Sequence, residues 1–222
     1  MAGRFRSPGG QGVSDIDGAL RELRRDEPAV DVVDAPDVVF ALSRHGHRTV
    51  RTGGTAPPPP VPRHRLRYEM GSASKTFTGL LLAHLTRTGT LSAGLPAAAL
   101  LDPARRSGEN PSGEDPVTLA HLITHTAGLP ALPADFFVRA LPAWRTNPYA
   151  RYPAERVIDA FLRHRGHHRP GVRWHYSNFG VAVLGHALVA ATGTPWDDLL
   201  TGQVLRPLGL SGAALTPGGP DT

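Results

Sequence analysis

The spacing of apolar residues along the chain predicts two strands near its beginning and helices along much of the rest. Residues 37–44 and 48–53 are rich in apolar and β-branched side chains, and the turn His45-Gly46-His47 between them is typical of a hairpin. Apolar residues at helical spacing predict helices at 15–25, at 74–88, within 117–126, and at 153–163, 178–191 and 196–205. Two early strands followed by several helices favour an α/β (α+β) fold.

Other stretches show neither pattern and indicate where the folded part of the chain lies. Residues 1–12 are predicted to form a flexible tail, 66–70 an extended segment, 102–116 a polar loop, and 131–152 an irregular segment rich in proline and aromatic residues. A chain of 222 residues fits one ordinary domain. Residues 13–222 are therefore assigned to a single domain.

The composition excludes several classes of function. Cysteine is absent, which excludes disulfides, thiolate metal sites and cysteine nucleophiles. The net charge is +5, but the basic residues are spread along the chain rather than clustered with aromatic residues, so no nucleic-acid partner is expected. No stretch approaches eighteen apolar residues, so no membrane span is expected. The N-terminus lacks the apolar core of a secretory signal, which favours a cytoplasmic location.

Histidine spacing gives only a weak signal for a metal site. His121 and His125 are four residues apart, as ligands on one helix face would be, but Leu122 stands where the His-Glu-x-x-His pattern requires an acid. A second group of histidines, within 164–169, is more typical of a solvated loop. No metal ion or other cofactor is therefore expected.

A single lysine marks the strongest candidate for chemistry. Of 24 basic residues only Lys75 is a lysine, and it stands three residues after Ser72 in the sequence Ser72-Ala73-Ser74-Lys75. At the start of a helix this spacing puts the hydroxyl and the amine on one face, one turn apart. The helix dipole favours an alkoxide there, and a desolvated lysine can act as a base whereas arginine cannot. The alternative is a serine that caps the helix beside an exposed lysine.

Three segments, in the same order as in the family, resemble the serine β-lactamases and penicillin-binding proteins, especially class C β-lactamases and their esterase and peptidase relatives. They are 68–79, which reads YEMGSASKTFTG, 117–130, which reads VTLAHLITHTAGLP, and 170–180, which reads PGVRWHYSNFG. The similarity extends from about residue 37 to residue 216. It implies a β-lactamase/transpeptidase-like fold, in which helices flank an antiparallel sheet and a helical subdomain occupies about 90–175.

The resemblance also implies roles for four residues. Ser72 would attack a carbonyl carbon and form an acyl-enzyme, and its backbone amide would supply half of an oxyanion hole. Lys75 would hold or accept the serine proton. Tyr176, as a phenolate or through a relay with Lys75, would pass the proton to the leaving group and later activate water. Asn178 would orient the substrate carbonyl. Without catalysis, Tyr176 would pack its ring and Asn178 would cap the following helix.

One motif of the family has no match in the chain. Relatives carry Lys-Thr-Gly or His-x-Gly on a strand after the tyrosine motif, and no such segment follows Tyr176. The resemblance therefore predicts the N-terminal portion of the domain, with an incomplete sheet and without the C-terminal strands.

The predicted function is that of a serine hydrolase acting on a small-molecule amide or ester, of the β-lactamase, D-amino-acid peptidase or carboxylesterase type. The alternative is a catalytically silent, truncated member of the family that binds peptidoglycan-like ligands or a protein partner. The sequence leaves the choice among the three substrates and the oligomeric state open.

Overall fold

A computed structural model describes residues 33–102, 115–143, 147–149, 152–164, 166 and 168–215. The predicted tail at 1–12, the predicted helix at 15–25 and most of the predicted loop at 102–116 lie outside the described residues. The chain divides into two compact units, Met1–Glu69 and Met70–Thr222.

The first unit is built on an antiparallel hairpin. Strand β1, Val38–Arg44, pairs with strand β2, His47–Gly53. The two central residues of the turn, His45 and Gly46, have φ angles of 50° and 81°. Positive φ at both positions is typical of two-residue hairpin turns, because the backbone twist of such turns matches that of the strands. The predicted hairpin is confirmed, with His47 in the second strand rather than in the turn.

A short 3-10 helix, Arg63–Arg65, lies against the start of this hairpin. The Arg63 Nε atom donates to the Asp37 carboxylate at 2.9 Å, and Nη2 donates to the Ala56 carbonyl at 2.5 Å. The Arg63 side chain is mostly buried, so the charge-assisted bonds hold the loop after β2 against the residue before β1. The predicted extended segment at 66–70 contains no strand.

Helices make up most of the described part of the second unit. They are α1 Lys75–Arg87, α2 Ala97–Leu101, α3 Leu119–Ile123, α4 Phe136–Ala140, α5 Ala154–Arg163, α6 Asn178–Thr192 and α7 Trp196–Leu200. Short 3-10 helices, Gly71–Ser74 and Leu141–Ala143, precede α1 and follow α4. The predicted helices at 74–88, 153–163 and 178–191 are confirmed to within one residue. The helix predicted at 196–205 consists of α7 and a π-helix, Thr201–Leu205.

Two of the short helices, α2 and α4, lie in stretches for which the apolar pattern predicts no helix. Each has only five residues, which is too few for helical spacing to appear or for a helix to be stable alone. Burial stabilises both, since Ala97 of α2 is 0% exposed and Phe136 of α4 is 2% exposed. The Ala97 amide also donates to the Val117 carbonyl at 2.9 Å. Packing against the rest of the unit therefore decides that these residues are helical.

Helix α6 is the centre of the hydrophobic core of the second unit. Several of its own residues are buried, among them Phe179, Val183, Leu184, Ala187 and Leu188. Leu81 of α1 and Leu122 of α3 are fully buried in the same cluster. Burial of one such leucine contributes about 1.5–3 kcal/mol. Helices α1, α3 and α6 therefore share one core.

The apolar character of α6 is explained by this central position. Among the described residues, no single helix has the length and apolar character needed to cross a membrane. Helix α6 meets those criteria only when it is combined with Trp196–Leu205, from which it is separated by a bend of 88°.

Candidate active site

Ser72 lies in the single 3-10 turn immediately before α1, and Lys75 is the first residue of α1. Their spacing brings Lys75 Nζ to 3.0 Å from Ser72 Oγ, to which it donates a hydrogen bond. Gly71 enters this turn with φ +51°, a conformation that favours glycine. Ser72 is exposed, so its hydroxyl is accessible to a ligand.

Ser72 does not cap α1, which was the alternative interpretation of the Ser-x-x-Lys pattern. The residue at the N-cap of α1 is Ser74, and it makes no side-chain capping bond. The Ser74 hydroxyl instead donates to the Gly71 carbonyl at 2.6 Å. The Ser72 hydroxyl remains directed toward Lys75.

Tyr176 reaches the same oxygen from the segment that leads into α6. Its hydroxyl donates to Ser72 Oγ at 2.7 Å, although the two residues are 104 positions apart. Lys75 Nζ lies 5.3 Å from the centroid of the Tyr176 ring. The structure thus brings Ser72, Lys75 and Tyr176 together, with two hydrogen bonds converging on the serine oxygen.

The surroundings of Tyr176 favour its ionised form. Hydrogen bonding to Lys75, and secondly to Ser72, lowers the pKa of Tyr176 below its ordinary value of 10.0, and partial burial opposes this only in part. A positively charged ammonium beside a phenol stabilises the phenolate. The two donors at Ser72 Oγ stabilise negative charge on that oxygen as well. The arrangement can therefore hold a proton on any of three neighbouring atoms.

Asn178 is the first residue of α6, and it does not cap this helix. The N-cap is Ser177, whose Oγ accepts from the Gly180 amide at 2.8 Å and donates to the Pro130 carbonyl at 2.6 Å. The capping role suggested for Asn178 by its position at a helix start is therefore wrong, because the cap lies one residue earlier. Its role in orienting a substrate carbonyl stays a prediction.

The two histidines of the 117–130 segment have different partners. His121 closes the N-terminus of α3: its amide donates to Thr118 Oγ1 at 3.3 Å, and its Nδ1 accepts from the Thr118 amide at 3.2 Å. His125 instead stacks on Tyr176, with 4.6 Å between ring centroids. Within the described part of the chain, no group of three or more His, Asp or Glu side chains is arranged to hold a metal ion. The sequence pattern did not indicate the contact between His125 and Tyr176.

Two histidines are expected to make the stability of the fold depend on pH. Burial lowers the pKa of His125 and of His186 on α6 below 6.5; the charge of Lys75 lowers that of His125 further, and Glu155 partly opposes the effect at His186. In the unfolded chain the two histidines take up a proton near pH 6.5, whereas in the folded chain they do so only at a lower pH. The free energy of unfolding is therefore expected to fall as the pH drops below 6.5.

Urea unfolding on both sides of pH 6.5 measures this effect. The double variant His125→Asn, His186→Gln is the control, because it removes both protonation sites and should make the pH dependence shallower. Equal slopes in the variant and the wild-type chain would contradict the assignment.

A comparison with protein families shows the family of the chain. The family model described as Beta-lactamase matches residues 26–222, which is most of the chain. The chain belongs to the β-lactamase family. The segments that carry Ser72, Lys75 and Tyr176 all lie within the match.

Curated relatives of this β-lactamase-family chain include two bacterial enzymes. It is 28% identical over 187 residues to a β-lactamase of Pseudomonas fluorescens, covering 83% of the chain and 47% of the relative. It is 27% identical over 214 residues to the D-alanyl-D-alanine-carboxypeptidase/endopeptidase AmpH of Escherichia coli strain K12, covering 90% of the chain and 53% of that protein. The chain spans about half the length of these relatives.

Solved structures confirm the fold class. A β-lactamase/D-alanine carboxypeptidase from Yersinia pestis superposes with a TM-score of 0.65 at 21% identity, covering 95% of this chain and 57% of that one. A D-stereospecific amidohydrolase from Streptomyces gives a TM-score of 0.64 at 23% identity, covering 86% and 54%. At these identities the likeness shows the β-lactamase/transpeptidase-like α/β fold. The family consists mainly of serine hydrolases.

Proposed function

We propose that this chain carries the acylation machinery of a serine hydrolase that cleaves amide or ester bonds through an acyl-enzyme on Ser72. The observation that carries the proposal is the pair of hydrogen bonds, at 3.0 and 2.7 Å, from Lys75 and Tyr176 to a single exposed serine oxygen. A serine hydroxyl is a weak nucleophile until a neighbouring group takes its proton, and Tyr176 becomes that proton acceptor when it loses its own proton beside the positive charge of Lys75.

The proposed first step is acylation. The Tyr176 phenolate, stabilised by the Lys75 ammonium, accepts the proton of the Ser72 hydroxyl as the serine oxygen bonds to the substrate carbonyl carbon. The carbonyl oxygen becomes an oxyanion that the Ser72 backbone amide stabilises. As the intermediate collapses, the proton passes from Tyr176 to the leaving amine or alcohol, and the ester to Ser72 remains.

The second step is hydrolysis of that ester. The restored Tyr176 phenolate takes a proton from water as the water oxygen bonds to the acyl carbon. The bond to Ser72 Oγ then breaks, and the proton returns to that oxygen. Asn178 is the residue proposed to orient the acyl carbonyl in both steps.

The names of the relatives define the substrate classes to test. They include a β-lactamase, a D-alanyl-D-alanine carboxypeptidase and a D-stereospecific amidohydrolase, and an ester is the simplest acyl donor for the same chemistry. A β-lactam, a D-alanyl anilide and a p-nitrophenyl ester therefore sample the candidate leaving groups. The three differ in how readily the leaving group departs, so the ester gives the most sensitive test of acylation.

Intact-mass spectrometry of the chain after incubation with each compound tests the proposal. We expect a covalent adduct of one acyl group on Ser72 with at least one compound, and its absence in Ser72→Ala. Ser74→Ala is the matched control, because Ser74 lies two residues away on the same turn and its hydroxyl bonds to Gly71 instead. An adduct that survives in Ser72→Ala, or saturable binding with no adduct, would contradict the hydrolase function and favour the catalytically silent alternative.

A further inference from the structure

We propose that His125 is a positioning residue that fixes Tyr176 at the nucleophile, by bonding to both chain neighbours of Tyr176 and stacking on its ring. The catalytic consequence of this contact rests on the hydrolase function proposed above. The contact itself is a feature of the resting protein and can be tested without turnover.

Three contacts between His125 and the 175–177 segment support the inference. The His125 carbonyl accepts from the His175 amide at 2.8 Å, and His125 Nδ1 accepts from the Ser177 amide at 3.1 Å. The centroids of the imidazole and the Tyr176 ring are 4.6 Å apart, and the planes of the two rings are inclined at 41°. One residue therefore holds the backbone on each side of Tyr176 and the face of its side chain.

The backbone of His125 has an uncommon conformation that these contacts explain. Its φ is +59°, in the left-handed region that non-glycine residues rarely adopt and in which histidine is enriched. Such a conformation is unfavourable for a residue other than glycine and persists only where surrounding contacts hold it. Just after α3, the Thr126 amide donates back to the His121 carbonyl at 2.9 Å, which fixes the turn in which His125 lies. The strained residue thus lies beside the candidate nucleophile.

The hydrogen bond to Ser177 also defines the chemical state of the ring. An imidazole nitrogen that accepts from a backbone amide carries a lone pair, so the proton of neutral His125 belongs on Nε2. Protonation of Nδ1 would break this bond and add a second positive charge near Lys75. The positioning function therefore requires the neutral Nε2–H form.

A pair of substitutions separates positioning from mere packing. Asparagine tolerates positive φ and presents an oxygen close to the position of Nδ1, so His125→Asn keeps the acceptor for the Ser177 amide. Glycine tolerates the same φ but offers no acceptor and no ring. Both residues accept the positive φ of His125, so the difference between His125→Asn and His125→Gly reports mainly on the side-chain acceptor.

The first readout is the titration of Tyr176, which is monitored by NMR of chains labelled with 13C at tyrosine Cζ. The chain has four tyrosines, and the Tyr176 signal is the one lost in Tyr176→Phe. We expect Tyr176 to titrate below pH 10.0 in the wild-type chain and in His125→Asn, and closer to 10.0 in His125→Gly. The reason is that a displaced phenol loses its bonds to Ser72 and Lys75.

The second readout is the rate constant for acylation of Ser72. A displacement of roughly 1 Å lowers a rate about a hundredfold, so we expect a loss of about that size in His125→Gly with little change in substrate affinity. His125→Asn should lose less than about tenfold. His121→Ala is the structural control: it removes the capping interaction with Thr118 and lowers stability, but should leave the Tyr176 titration unchanged.

Each outcome bears on one claim. Equal Tyr176 titrations in the Asn and Gly variants, or an equal shift in His121→Ala, would overturn the positioning role. If His125→Gly does not fold, the 15N shifts of the wild-type imidazole decide, because a proton on Nδ1 would overturn the inference. The expected titrations without any acylation of the wild-type chain would support the positioning of Tyr176 and contradict only the hydrolase function.

Discussion

Replacement of Lys75 by arginine is expected to slow the acylation of Ser72 by about 10²–10⁴, the usual contribution of an acid–base group, while the chain stays folded. In the proposed mechanism Lys75 stays protonated and stabilises the Tyr176 phenolate, and arginine keeps that positive charge. Its planar, bulkier head group cannot place one nitrogen where Lys75 Nζ lies, 3.0 Å from Ser72 Oγ and 5.3 Å from the Tyr176 ring centroid, so Tyr176 loses the charge that favours its ionised form. Lys75 is partly exposed, so the hydrophobic core does not depend on it.

Single-turnover acylation by a p-nitrophenyl ester, monitored by intact-mass spectrometry, measures this loss. The reverse exchange, Arg163→Lys, is the matched control because the Arg163 side chain is 70% exposed on α5 and pairs with Asp159 one turn away. We expect wild-type acylation and an unchanged melting temperature for the control. A Lys75→Arg chain that is acylated at the wild-type rate would show that only the charge of Lys75 matters.

Removal of the Tyr176 hydroxyl is expected to have an effect of similar size, again about 10²–10⁴ on acylation. Tyr176→Phe deletes the oxygen that lies 2.7 Å from Ser72 Oγ but keeps the ring that stacks on His125. A phenolate base is active above its pKa, and the pKa of Tyr176 is lowered. The wild-type rate should therefore rise with pH through a midpoint below 10.0, and this rise should be absent in Tyr176→Phe.

Tyr152→Phe is the control for removal of a phenol hydroxyl elsewhere in the same unit. The Tyr152 hydroxyl donates to Asp135 at 2.5 Å. Burial, and to a smaller extent this carboxylate, raises the pKa of Tyr152 to about 12. We expect this variant to lose some stability and to keep the pH profile of the wild-type chain. A pH–rate profile that is the same in Tyr176→Phe and the wild-type chain would assign the titrating base to another group.

The local parts of this protein could be predicted from its sequence. Helices α1, α5 and α6 are long enough for apolar residues to repeat at helical spacing, and the hairpin has a short turn between two apolar runs. The contact between Ser72 and Lys75 could also be predicted, because residues three positions apart at the start of a helix lie on one face whatever surrounds them.

The remaining features depend on residues that are distant in sequence, and only the tertiary structure decided them. Short helices such as α2 form because burial stabilises them, and the cap of α6 falls on Ser177, whose hydroxyl bonds to the distant Pro130 carbonyl, rather than on Asn178. The bond from Tyr176 to Ser72 likewise requires the packing of α1 on α6. Spacing along the chain determines contacts within a turn of helix, whereas contacts across 104 residues depend on which apolar surfaces are buried together.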